Sequence, residues 1–457
     1  MKRPQSTTLL ATTVVGVYLL VVAGATATIA DAAAACTSWP VCAPSSVDAV
    51  VALGHRAAAL VVGLLLVGSF VVGWSDASRR VRAALLAAAT LYPLQIGMGA
   101  LVVRVGASGI APGLHLGVAI AIFTALTAAL GWQLEADTGR EDAPDEPFAE
   151  SVADVEPTGS TVSFDSRADR IRATLSAYFR LMKPRLMWLL ALVAAAGMAL
   201  AGGPDGLSVR TIVFTLGGGV LAIGASGTFN HLLERDIDRR MKRTSDRPLA
   251  TELVPVRNAL AFGVALALAS LAAFLQVNVF AATLGFVAIV FYSVIYTLVL
   301  KPNTVQNTVL GGVAGALPAL IGWVGVTGEI GTPGVVLAMT IFLWTPAHFY
   351  NLALAYKEDY ARGGFPMMPV VSGETKTRKH ILWYLTATLA SAGVLTAVSD
   401  LGVLYATTTV AFGALFLGMV IRLHRERSED AAFRAFHASN AYLGAILLAI
   451  VVDSLVV

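Results

Sequence analysis

A chain of 457 residues that is 56% hydrophobic and only 13% charged, with a mean hydropathy of +0.73, is not a soluble enzyme, a disordered scaffold or a nucleic-acid binder; a soluble chain carries roughly a quarter charged residues. The net charge of +3 hides an asymmetry: residues 135–170 hold eleven acids and three bases, leaving 29 bases and 18 acids elsewhere. Apolar runs of about 20 residues match a hydrocarbon core of roughly 30 Å, and ten-residue alternation is absent, so the fold class is an all-α multi-pass membrane protein rather than a barrel.

Four spans are predicted near residues 8–30, 47–74, 82–104 and 110–133. The first follows Met1-Lys2-Arg3 but is too long for a typical signal-peptide core, so it is expected to be a retained anchor. Nine more are predicted near 185–203, 211–230, 256–277, 279–300, 308–327, 333–356, 380–398, 401–422 and 435–457. With the N-terminus in the cytoplasm, the basic loops at 75–82, 235–247, 301, 357–379 and 422–427 are all cytoplasmic, and Arg104 and Arg210 are the basic exceptions outside. That is the positive-inside rule along the whole chain. Thirteen spans then put the C-terminus outside the cell membrane.

Between the first two spans lies the outer loop Cys36-Thr37-Ser38-Trp39-Pro40-Val41-Cys42, which holds both cysteines. An outside loop permits a disulfide; two separate thiols are the alternative. His55 in span two and His115 in span four differ in depth by only about 4–5 Å at 1.5 Å per residue, a placement suited to heme iron between helices. These residues, with Gly24-Ala25-Thr26-Ala27-Thr28, Trp39-Pro40, Arg56, Gln95-Ile96-Gly97-Met98-Gly99 and Leu116, resemble the N-terminal half of the heme A synthases. Ala52 stands where that family carries an acid, and the family's second four-helix half is missing, so the resemblance implies a heme-binding or heme-handling half-domain over 1–134. A folding anchor without heme is the alternative. The acidic stretch 135–170, with Pro144, Pro147, Pro157 and Gly159, is expected to be a solvated cytoplasmic linker.

The chemistry is concentrated in residues 171–457. Asn230, Glu234 and Asp238 are spaced i, i+4, i+8, so on a helix their oxygens share one face, while Asp236 points elsewhere. An all-oxygen face suits Mg²⁺, which commonly shares its coordination with substrate phosphates. Arg240, Lys242, Arg243 and Arg247 follow and balance a polyphosphate. A second acidic cluster, Tyr356-Lys357-Glu358-Asp359-Tyr360, follows span ten on the same expected side. Two such helix ends suggest a pair of metal–diphosphate clamps; a plain charged loop is the alternative.

This pattern resembles the UbiA superfamily of intramembrane prenyltransferases, which have nine helices. Within it, Leu181-Met182-Lys183-Pro184-Arg185, Glu234 through Thr244, Tyr296 through Lys301 with Asn307 and Gly311 through Pro318, Trp344 through Tyr350, and Pro366-Met367-Met368-Pro369-Val370 resemble the heme O synthases (protoheme IX farnesyltransferases). Glu234, Ala347 and Glu358 depart from the usual Asp, Pro and Asp. The resemblance implies farnesyl transfer from farnesyl diphosphate to a vinyl group of heme b, with water added and diphosphate released. It implies Mg²⁺ held by Asn230, Glu234, Asp238, Asp359 and Glu358, and phosphate contacts from Lys301, Lys357, Arg243 and Arg247. Tyr292, Tyr296, Phe349 and Tyr350 either face the allylic cation or pack between helices. His348, inside span ten, either meets heme or packs against a neighbouring helix. His231, His380, His424 and His437 lie near helix ends and are expected to be interfacial. Heme A synthase or oxidase assembly proteins are expected partners, besides membrane lipid. The alternatives are another UbiA-type transferase acting on an aromatic or lipid acceptor, and a non-enzymatic membrane heme carrier. A transporter is disfavoured by the scarcity of intramembrane charge.

Overall fold

Ser46, Ser78, Ser166 and Ser208 each accept a hydrogen bond from the backbone N–H three residues on, and so open four of the helices. Pro184 and Pro333 start two more, and Gly106, Gly203 and Gly328, all at positive φ, end three. The computed structural model describes residues 3–29, 35–75, 77–106, 110–139, 166–204 and 206–456, and no strand occurs among them.

Thirteen helices among the described residues are long and apolar enough to cross a membrane. Four precede the acidic stretch: α1 (Arg3–Ile29), α2 (Val47–Gly73), α3 (Arg79–Val105) and α4 (Ala111–Thr138). A shorter helix, α5 (Arg167–Leu181), leads into α6 (Pro184–Gly202), α7 (Val209–Asp238), α8 (Val256–Leu275), α9 (Val279–Asn303), α10 (Asn307–Thr327) and α11 (Thr332–Ala355). Within α9, Phe291–Leu300 forms a π-helix. Two short helices, α12 (Lys357–Arg362) and α13 (Met368–Ser372), precede α14 (Glu374–Val398), α15 (Val403–Glu426) and α16 (Glu429–Val456).

Each expected span has its helix, and two begin about six residues early, α16 at Glu429 rather than near 435 and α14 likewise. Helix α14 begins at Glu374 rather than near 380 because Thr375, Thr377, Arg378 and Lys379 are buried, so hydropathy hides its first turn. Lys379 pairs with Glu135 and lies over the Trp383 ring. Glu135, expected in the linker, therefore belongs to the end of α4. Most of the expected linker lies outside the described residues; Arg167 to Arg170 open α5.

The chain forms two compact units, Met1–Ala143 with Thr375–Ala449, and Pro144–Glu374 with Ile450–Val457. In the first, Tyr18 of α1 donates to the Thr409 carbonyl of α15 at 2.6 Å, Thr13 bonds Ser69 at 2.8 Å, and Trp132 meets Trp383 edge-on. In the second, fully buried Phe274 centres a cluster of Ala222, Ala281, Ala282, Ile289 and Ile321. Helices α6 and α10 touch backbone to backbone: a Cβ at Gly197 would overlap the Ala319 carbonyl, and one at Gly322 the Ala194 carbonyl. Such close approach is how spans gain contact where lipid offers no hydrophobic drive. Gly322→Val must push α6 and α10 apart, since no rotamer relieves a clash with backbone. It is expected to cost about 3 kcal/mol or more, read as a lowered thermal melting point in detergent; an unchanged melting point would contradict the contact.

Candidate active site

The last two turns of α7 present Asn230, Glu234 and Asp238 on one face, and all three are buried, at 2%, 3% and 2% exposure. Burying two carboxylates requires partners. Glu234 accepts from Lys301 Nζ at 2.6 Å, where α9 ends. Asp238 accepts from Arg247 Nη1 at 2.8 Å on both oxygens, and the same nitrogen stands 3.9 Å from Glu234. Asn230 accepts from Lys183 Nζ through Oδ1 and donates to Thr297 Oγ1 at 3.1 Å. Asp236 lies on another face beside Arg235 and Arg239, as its register requires.

The second acidic motif reaches the same end of the bundle. Asp359, in the first turn of α12, accepts from the backbone amides of Lys242 (3.1 Å) and Arg243 (2.9 Å), and pairs with Arg362. Burial works against its carboxylate, but the Arg243 amide, the Arg362 guanidinium and the Lys242 amide together hold its pKa below the usual value. Beneath it, Met241, Ala353, Tyr360, Phe365 and Met367 form the core that joins the two motifs. The structure thus gathers Asn230, Glu234 and Asp238 with Lys183, Lys301 and Arg247, while Asp359 is tied to the adjoining Lys242 and Arg243 amides. The Arg243 guanidinium lies over the rings of Tyr356 and Tyr360. Two neighbours of Asp359 turn away: Glu358 is exposed, and Lys357 pairs with Glu374 at 3.1 Å.

Lys183 is the residue that sequence reasoning quoted in a motif but assigned no role. It caps α6 in the left-handed region (φ 56°), a conformation uncommon for a side-chain-bearing residue. That backbone aims its ammonium inward, onto Asn230 and, at 3.0 Å, the Tyr292 hydroxyl. Burial first, and the Arg247 charge second, push its pKa down to about 8. The available signal was a lysine directly before a helix-starting proline, in a motif already noted.

The π-helix of α9 supplies the aromatic wall. Tyr292 and Tyr296 stack with centroids 5.5 Å apart, and Thr297 donates back to the Tyr292 carbonyl. A methyl at Gly311 would stand 2.6 Å from the Tyr296 ring, so that ring lies directly on α10. Deeper in α11, His348 stacks on Trp344 with centroids 4.2 Å apart. It sits seven residues, about 10 Å of axis, before Ala355.

Among the described residues no group of three or more His, Cys, Asp and Glu could hold a metal ion. The donor set nevertheless fits Mg²⁺ in one form. Its oxygens are hard, buried and on one face, but each is engaged by a base. A divalent ion would fit there only beside an anion that drew those bases away, as in a metal–diphosphate pair.

In the first unit, the Cys36–Cys42 disulfide closes a loop held by Arg56. Its guanidinium donates to the carbonyls of Cys36, Ser38 and Pro40, and lies over Trp39. The adjacent His55 packs on Gly24, and His115 packs on Gly99 with its Nε2 3.2 Å from Gln95 Nε2. The Nδ1 atoms of both histidines are buried without a hydrogen-bond partner.

Residues 189–444 match the UbiA prenyltransferase family. The chain is 63% identical to protoheme IX farnesyltransferase 1 of Natronomonas pharaonis over 453 residues, 98% of each chain. It is also 63% identical to protoheme IX farnesyltransferase of Haloarcula marismortui over 457 residues, again 98% of each. Its fold resembles a solved structure from work on digeranylgeranylglyceryl phosphate synthase, with a TM-score of 0.53 and 16% identity over 62% of this chain and 99% of that one.

Proposed function

The chain belongs to the UbiA prenyltransferase family, and from that premise we infer a membrane enzyme that transfers a farnesyl group to protoheme IX, making heme O. What supports a clamp mechanism is the buried oxygen face of α7 with three bases, Lys183, Arg247 and Lys301, already turned toward it. Asn230, Glu234, Asp238 and Asp359 would hold Mg²⁺ on the diphosphate of farnesyl diphosphate. When bound, the ion neutralises the charge that builds on the leaving diphosphate. Lys183, Lys301, Arg247 and Arg243 would take the remaining phosphate oxygens.

The allylic C–O bond breaks with its electron pair leaving on diphosphate. The π-electrons of a heme vinyl group form the new C–C bond. Water then adds to the resulting cation and loses a proton. Tyr292 and Tyr296 stack on each other beside the clamp, with the Lys183 ammonium over the Tyr292 ring, and their π-density would stabilise an allylic cation there. The surrounding apolar spans keep water from it until the new bond has formed. His348, further along α11 and stacked on Trp344, would meet the porphyrin rather than the diphosphate. The expected topology turns the clamp to the cytoplasm.

Purified protein given farnesyl diphosphate with either heme b or 4-hydroxybenzoate separates this reading from transfer to an aromatic acid. Mass spectrometry should find heme b plus farnesyl and water. Prenylated hydroxybenzoate without any heme product would overturn it.

The first unit supports a second, separate assignment: His55 and His115 hold a heme. Two half-buried imidazoles, each packed on glycine and each with a buried, orphaned Nδ1, are the observation behind it. Purified protein is expected to show a low-spin bis-histidine spectrum that His55→Ala removes and His348→Ala leaves intact. The same spectrum in His55→Ala would contradict the assignment.

A further inference from the structure

Helix α5 is the one described helix of more than ten residues that is not apolar enough to span a membrane, yet it carries an unpartnered apolar stripe. Ile171, Leu175 and Phe179 are 52%, 66% and 58% exposed. At about 100° per residue, Leu181, Tyr178, Ile171, Leu175 and Phe179 fall within one arc of about 160°. Arg170 and Arg172 stand at its two edges.

One side of the arc is already used. Leu181 is fully buried and Tyr178 packs with it, together with Leu249, Val254 and Ala259, and Tyr178 meets Phe262 edge to face. The other side, Ile171 to Phe179, faces away from that core. The edges are basic: Arg170 and Arg172 are exposed, and Asp169 accepts from Ser166. Arg180 pairs with Asp246 at 2.6 Å. Three residues after Leu181, Pro184 begins the membrane span α6. A helix that ends there cannot stand far from the bilayer surface.

We propose that α5 lies in the plane of that surface on the clamp side, with Ile171, Leu175 and Phe179 sunk into the boundary between headgroups and acyl chains. Arg170 and Arg172 extend outward onto anionic phospholipid headgroups. An exposed apolar face bracketed by arginines, joined without slack to a span, has this as its favourable solvent. The ion pair to Asp246 and the packing on Leu249 connect the helix to the segment that carries Arg243 and Arg247.

Both native cysteines are in the disulfide, so an introduced cysteine is the sole labelling site. Leu175→Cys and, from the exposed polar face, Ser176→Cys are each made in the full chain, spin-labelled and reconstituted into vesicles of equal phosphatidylcholine and phosphatidylglycerol. At 175, collisions with oxygen should exceed those with a water-soluble nickel chelate by about tenfold relative to 176. Replacing all phosphatidylglycerol with phosphatidylcholine should raise nickel access at 175. A label at 175 as open to nickel as that at 176 would place the face in water. Shielding from both reagents would place it against protein, such as a second copy of this chain. Either result, or depth indifferent to headgroup charge, overturns the proposal.

Discussion

Asp238→Asn is expected to cut farnesyl transfer by about 10²–10³-fold, the loss typical when one transition-state electrostatic contact is removed. The substitution keeps the shape of a side chain that is 2% exposed, and it leaves an amide oxygen to accept from Arg247. What it removes is the negative charge needed beside a divalent ion. The structure also offers a control. Asp236, two residues earlier on the same helix, is exposed and pairs only with Arg235 and Arg239. Asp236→Asn should therefore leave transfer within about twofold of wild type, since exposed pairs of this kind contribute little. Heme O formation is measured in membranes at matched protein amounts, with far-ultraviolet circular dichroism and gel filtration to confirm the fold. Near-normal output from Asp238→Asn, or equal losses in both variants, would remove Asp238 from the clamp.

The contrast between these two aspartates was legible in the sequence, because helical register alone separates positions 236 and 238. The same was true of the spans, whose lengths follow from bilayer thickness. Other features depend on what the chain meets in space. Glu358 and Lys357 share a motif with Asp359, but one residue is about 100° on a helix, and only Asp359 turns back to the Lys242 and Arg243 amides. Lys183 enters the site through a left-handed backbone that no propensity marks for lysine. Hydropathy shows that a segment is apolar without showing which neighbour covers it. For that reason the packing of α1 on α15, through Tyr18 and Thr409, could not be read in advance. The early start of α14 was hidden similarly, by buried Arg378 and Lys379.

Magnesium and diphosphate are expected to bind synergistically, each raising affinity for the other by about 10–100-fold, within the usual range of coupling between two ligands. The reason lies in who holds each oxygen before they arrive. Lys301 occupies Glu234, Arg247 occupies Asp238 and Lys183 occupies Asn230. A metal ion alone would have to displace three cations with nothing to receive them. Diphosphate alone would draw those cations off and strand buried carboxylates, a costly state. With both present, the bases would pass to phosphate oxygens and leave the carboxylates free to hold the metal. Calorimetric titration of the full chain with inorganic pyrophosphate, with and without Mg²⁺, measures the coupling, and the reverse titration must return the same factor. In Lys301→Gln, Glu234 is released in advance. Mg²⁺ alone should then bind more tightly, pyrophosphate more weakly, and the coupling between them should shrink. If wild-type protein bound Mg²⁺ equally well with and without pyrophosphate, the exchange of partners at Glu234 and Asp238 would not be how this site assembles.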